Sequence, residues 1–178
     1  MADEKKKKGM PGWAIALIVV AVIGALAIPA IGVLASLGLY GTRRYVATAK
    51  EAEGKANVTI LARRMVEAAA HEVADPTGKT GPAGLPPSSN AVPSVVPSGT
   101  KYMSTPGDWA DPAFKAAHFQ LTTPQYFQYA WERKTPTQGT ARARADFDGD
   151  GKVDVTIEAD VTCPTAGACT MGTLRELR

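Results

Sequence analysis

Hydrophobic and polar positions follow three successive regimes along this chain. From Trp13 to Tyr40 there are 28 residues without a charge, 23 of them hydrophobic. This run predicts a helix of about 42 Å, longer than the roughly 30 Å hydrocarbon core of a bilayer. Such a helix can cross with tilt or emerge and continue. Pro29 falls inside it, and small residues recur four apart at Ala21/Ala25 and Gly32/Ser36. Beyond Tyr40 the period stays helical to about Val73. Gly54, Val58, Leu61, Met65, Ala68 and Ala69 recur at steps of three and four and form one narrow apolar stripe. A stripe so rich in Ala and Gly suits packing against a sheet; a solvated stalk helix is the alternative. Glu51 and Lys55 stand four apart on the wet face in the favourable acid-first order.

From about Phe119 the period becomes two. Phe127, Tyr129 and Trp131 share one face of a strand, and Ala141, Ala143, Ala145 and Phe147 share one face of a second. Val153, Val155, Ile157, Ala159 and Val161 share one face of a third. One apolar and one polar face per strand predicts an antiparallel sheet with one side on a core. The small Ala face would seat a helix closely, and Arg142 and Arg144 would pair across strands with Asp154, Glu158 or Asp160. Between helix and sheet, residues 75–108 hold 7 of the 13 prolines and 5 of the 17 glycines. They predict an irregular surface loop. The expected fold is α+β: a long N-terminal hydrophobic helix continuing into an amphipathic helix packed on a small antiparallel sheet. Its divisions are a basic leader (1–9), a transmembrane helix (10–40), the amphipathic continuation (41–74), the Pro/Gly-rich loop (75–108) and the sheet head (109–178).

Composition sharpens this picture. The net charge is +3, of which Lys5–Lys8 supply +4, and the residues after Tyr40 are close to neutral with 16 basic against 15 acidic. Such a balance gives little support to nucleic-acid binding, which concentrates basic charge on one face. A single apolar run argues against a multi-pass protein. A cleaved secretory peptide would have a basic start too, but its apolar core should span only about 7–15 residues. The expected location is the inner membrane, crossed once, with the head outside the cytoplasm, where both cysteines fall.

Three groups of residues carry candidate chemistry. Asp146, Asp148, Asp150, Lys152 (through its carbonyl) and Asp154 match positions 1, 3, 5, 7 and 9 of an EF-hand loop, with Gly151 at position 6. Position 12 is Ile157, so a full EF-hand is excluded and two readings stand: a weaker Ca2+ loop, or a bare Asp-Gly turn. Cys163 and Cys169 would close a seven-residue loop as a disulfide in an exported domain, or remain free thiols. His71 and His118 are each isolated, without a nucleophile elbow, zinc spacing or phosphate loop beside them, so no enzyme is expected and no cofactor beyond Ca2+.

The sequence of leader, long apolar helix, amphipathic continuation, Pro-rich loop and small sheet resembles a type IV pilin. The stretches that carry the likeness are Ile18–Pro29 (IVVAVIGALAIP), Tyr45–Arg63, Phe119–Glu132 and Ala143–Gly151, the last two similar to pilin-like heads from myxobacteria. The resemblance implies processing between Gly9 and Met10, where this chain reads Gly-Met-Pro-Gly-Trp-Ala and has Ala14 in place of the family's glutamate. It implies a structural subunit held by its N-terminal helix, with membrane lipid, other pilin-like subunits and a pilus assembly machinery as partners. A single-pass anchored binding module that does not polymerise is the alternative.

Overall fold

A computed structural model describes residues 10–74, 76, 78–165 and 167–178, the side chains of 26–28, 30, 35 and 37–44 excepted. The basic leader and Gly9 lie outside the described residues. The first helix, α1, spans Gly12–Ala70, with Pro29 inside it. Two compact units are distinguished, Met1–Val46 and Ala47–Arg178.

The expected long apolar membrane helix over 10–40 is not borne out. Among the described residues no helix is long and apolar enough to cross a membrane. The same finding removes the support for a single-pass location in the inner membrane. What stands is an α+β chain with a two-stranded and a four-stranded antiparallel sheet.

In the second unit the anticipated stripe is the buried one. Val58, Leu61, Ala62, Met65 and Ala69 of α1 are fully buried, in one core with the aromatic and alanine faces of the sheet. Gly54 lets the helix approach: a Cβ built there would lie 2.5 Å from Phe127 Cζ and 2.8 Å from Ile157 Cδ1. Past Ala70 the last carbonyls are met by the chain that returns to them, with Ala83 N–H donating to His71 O (2.8 Å) and Gly84 N–H to Ala69 O (3.2 Å). That return is a short antiparallel hairpin, β1 (Glu72–Ala74) and β2 (Thr80–Pro82). Regular structure thus reaches into the stretch expected to be loop.

A second helix, α2 (Pro112–Ala116), follows Asp111, whose carboxylate accepts from Ala113 N–H (3.0 Å), and carries Pro at its first turn. The main sheet is β3 (Gln128–Thr135), β4 (Gln138–Ala145), β5 (Val155–Thr165) and β6 (Ala168–Leu177), each antiparallel to its sequence neighbour. Trp131 stands opposite Ala141, and Ala143 opposite Ile157, so large side chains meet small ones across the ladder. β6 is an edge strand, exposed over most of its length, with only Cys169 and Met171 partly buried against the core.

The Pro-rich stretch is an edge cover rather than a free wrap. Val92 and Tyr129 exchange backbone hydrogen bonds (2.7 and 2.8 Å), and Ser89 N–H donates to Trp131 O (2.8 Å). The Trp131 indole donates to Pro86 O (3.1 Å), and Gln128 Nε2 donates to Pro93 O (2.8 Å). Prolines are tolerated here because a strand edge needs only some of its cover's donors, and the cover removes one of the sheet's two unpaired edges.

Cys163 and Cys169 form a disulfide across the β5–β6 hairpin. Reducing it should lower the unfolding free energy by about 2 kcal/mol, as a loop of this length predicts. The check is the shift in urea midpoint of the full chain with and without reductant; an unchanged midpoint would contradict it.

Candidate functional site

The acidic turn between β4 and β5 gathers three of the four expected carboxylates. Oxygens of Asp146, Asp148 and Asp154 lie within 4.8 Å of one another. Two glycines in left-handed backbone, Gly149 (φ 83°) and Gly151 (φ 86°), reverse the chain. Their N–H groups donate to Asp146, Gly149 to Oδ1 (2.6 Å) and Gly151 to Oδ2 (3.0 Å). Asp154 Oδ2 accepts from Phe147 N–H (2.6 Å), and Asp148 Oδ1 from Asp150 N–H (3.1 Å). Asp150 turns elsewhere, accepting from Lys152 N–H (2.7 Å) and pairing with Lys152 Nζ (3.6 Å). It is not in the group of three, so the expected five-residue ligand set is brought together only in part.

Three residues brought to the turn had no signal in the sequence. Ser98 Oγ donates to Asp146 Oδ2 (3.0 Å), and Gly99 N–H donates to Asp146 O (2.9 Å), so the edge cover also braces the turn. Lys50 of α1 stands over the rings of Tyr126 (4.5 Å) and Phe147 (5.1 Å) beside it. Only contact across 48 and 97 residues of sequence places these groups together, and no local pattern announces it.

Asp146 is buried, and that burial by itself would raise its pKa; the donors from Gly149, Gly151 and Ser98 outweigh it and hold the carboxyl below the ordinary 3.8. Because the folded pKa is depressed, the stabilisation is complete above the unfolded value and is lost as pH falls through the folded one. Asp108, held down by the Thr105 N–H and hydroxyl, and Glu176, held down by Lys55 and Arg178, act in the same sense. Melting temperature should therefore drop below about pH 4, and Asp146→Asn should flatten part of that drop. A wild-type profile flat from about pH 6 to pH 2.5 would contradict this.

On the outer face of the sheet the expected cross-strand pairing is found for Arg142, whose Nε donates to Glu158 Oε1 (2.7 Å). Arg144 instead donates to Gln128 Oε1 (2.6 Å), because its ladder partners are Gln128 and Thr156. Asp160 pairs with Arg175 of β6 (2.7 Å). His71 and His118 stay apart: the first contacts Glu72 O through Nδ1 (3.1 Å), and the second ends α2.

In the first unit the large apolar side chains of α1 that are described are uncovered. Trp13 is 69% exposed, Leu17 61%, Val20 67% and Ile23 60%. The consecutive residues Leu17, Ile18, Val19 and Val20 are all at least half exposed, so no single side of this segment is the polar one.

Comparisons with protein-family models, with curated proteins and with solved structures each find no match to this chain.

Proposed function

We propose that this chain is a structural subunit of the type IV pilin kind, in which the apolar segment of α1 is covered by the same segment of other copies. The observation that carries the reading is the exposure of Trp13, Ile15, Leu17–Val20, Val22 and Ile23 on every side of one helix. Apolar surface of this extent marks an interaction site. A helix apolar all round is buried on all sides, and one neighbour covers only one of them. Several copies are needed, and head-to-tail repetition of such a contact builds filaments. The order of segments that resembles a pilin supports the same reading, with Gly9 and Met10 as the processing position.

The test is assembly of the full chain. Sheared surface filaments should contain it, beginning at Met10, and the purified chain should sediment as a polymer. Leu17→Lys with Val20→Lys should disperse that polymer while the circular dichroism of the head is unchanged. A wild-type chain that stays monomeric at every concentration reached, and is missing from sheared filaments, sinks the proposal.

The acidic turn supports a second, narrower proposal: a weak Ca2+ site made by Asp146, Asp148 and Asp154. The spacing of oxygen donors on one tight loop suits a hard cation, which takes six to eight oxygens and leaves room for water and for the Lys152 carbonyl. Calorimetry of the full chain with CaCl2 should show a saturable heat that Asp148→Ala removes. No heat at millimolar Ca2+ would leave the bare turn, whose carboxylates are already satisfied by backbone donors.

A further inference from the structure

The main sheet has two edges, and they are treated differently. The Pro-rich stretch covers β3, whereas nothing among the described residues pairs with the free edge of β6. A bare edge is commonly guarded by outward charge, by proline or by extreme shortness. β6 is ten residues long and contains neither proline nor lysine. Its two charges are turned back onto its own fold. Arg175 pairs with Asp160 (2.7 Å) and Glu158 (3.3 Å) of β5, and Glu176 pairs with Lys55 of α1 (2.8 Å). Arg178, just beyond the strand, pairs with Glu51 and Glu176. The rest of the strand, Ala168–Leu174, is uncharged, and Thr170 and Thr173 on it are exposed.

We infer that β6 pairs antiparallel with β6 of a second copy of this chain, about a two-fold axis near Gly172. The recognition groups are the backbone donors and acceptors of the free edge, and an extended strand satisfies a row of them. Two observations choose a second copy as that strand. A charged strand finds no free counter-charge along Ala168–Leu174, while the same run on another copy is equally neutral. The other is a register shift, where β6 sets Gly172 and Thr173 against Asp160 alone. Such a bulge adds local twist, and an axis through it gives both strands the same twist at the same place. This axis opposes Arg175 with Cys169 and Glu176 with Ala168, so no like charges meet. In a filament built head to tail, a two-fold contact joins heads of neighbouring filaments; that consequence rests on the pilin reading, and the pairing itself does not.

The full chain carrying Leu17→Lys and Val20→Lys, which removes assembly through α1, tests the pairing by sedimentation velocity and hydrogen exchange. It should pass from monomer to dimer as its concentration rises into the submillimolar range, as suits a contact at the small end of interface sizes. Amide exchange over β6 should slow several-fold in the dimer while that over β4 is unchanged. Adding Thr170→Lys and Thr173→Lys should leave the chain monomeric, because like charges then face one another across a short contact. Thr170→Glu with Thr173→Glu should do the same. Mixing the lysine and glutamate chains should restore a dimer, which also shows that both are folded. The inference is overturned by a chain that stays monomeric, by a dimer whose β6 exchange is unaltered, or by any association that survives the lysines at 170 and 173. Each of these outcomes is independent of whether the wild-type chain forms filaments.

Discussion

Trp131→Ala is expected to lower the unfolding free energy by about 4 kcal/mol, the upper part of the range for removing a large buried aromatic. Trp131 is 1% exposed at the centre of β3, and its ring lies over Gly139 of β4, where a built Cβ would meet its Cζ2 and Cη2. Losing the ring opens a cavity and uncovers that glycine. It also strands Pro86 O, the acceptor of the indole hydrogen, so the cover of the β3 edge loses an anchor as well as a surface. Two variants separate these parts. Trp131→Phe keeps most of the packing and loses the hydrogen bond, for a smaller cost of about 1–2 kcal/mol. Gly139→Ala keeps the bond and displaces the ring. Urea denaturation of the full chain with the disulfide intact measures all three; a Trp131→Ala protein within about 1 kcal/mol of wild type would show that the ring is not a keystone of this core.

Gly54→Val should cost about 3 kcal/mol. Two opposing effects decide the sign. Replacing a helical glycine gains up to about 1 kcal/mol from the lower entropy of the unfolded chain, less for a branched residue. Against this, the first added carbon would lie 2.5–2.8 Å from Phe127 and Ile157, both fully buried, and two methyls follow it. Rings in a packed core yield only by moving their neighbours, and overpacking costs roughly 1–3 kcal/mol or more. The clash dominates. Gly54→Ala should fall between, and Gly24→Ala or Gly32→Ala, where a Cβ meets nothing within 4 Å, should be stabilising or neutral. If Gly54→Val were as stable as wild type by urea midpoint, the close seat of α1 on the sheet would be wrong.

The parts of this fold that the sequence announces are those where burial alternates at a fixed period. Phe127, Tyr129 and Trp131, the alanines of β4 and the stripe from Gly54 to Ala69 were all readable because each packs one face on one core. The parts it hides are those held by something other than a periodic face. β6 is an edge strand that turns only Cys169 and Met171 partly inward, too short an alternation to read. The β1–β2 hairpin has three residues a side, all exposed but Gly81. The long uncharged run gave the opposite error. Counting uncharged letters predicts a membrane crossing, whereas among the described residues no helix is long and apolar enough to make one. At the acidic turn the spacing of aspartates foretold the convergence of Asp146, Asp148 and Asp154 but not the defection of Asp150 to Lys152. That choice is made by local backbone donors, which no spacing rule counts.

The cover along β3 also sets an order of events. In the β3–β6 meander every strand pairs with its immediate successor, so these closures are short in sequence and fast. The bonds that seat the cover join residues 33 to 48 apart, from Gln125 with Val92 to Arg133 with Leu85. Closing such long intervals is slower. Until it happens, β3 presents a bare row of donors and acceptors beside three large aromatic side chains. A nascent chain of this kind is most prone to mispair with its neighbours in that interval. The prolines of the cover then have a kinetic role: a segment unable to act as a regular strand cannot itself template the mispairing it is there to prevent.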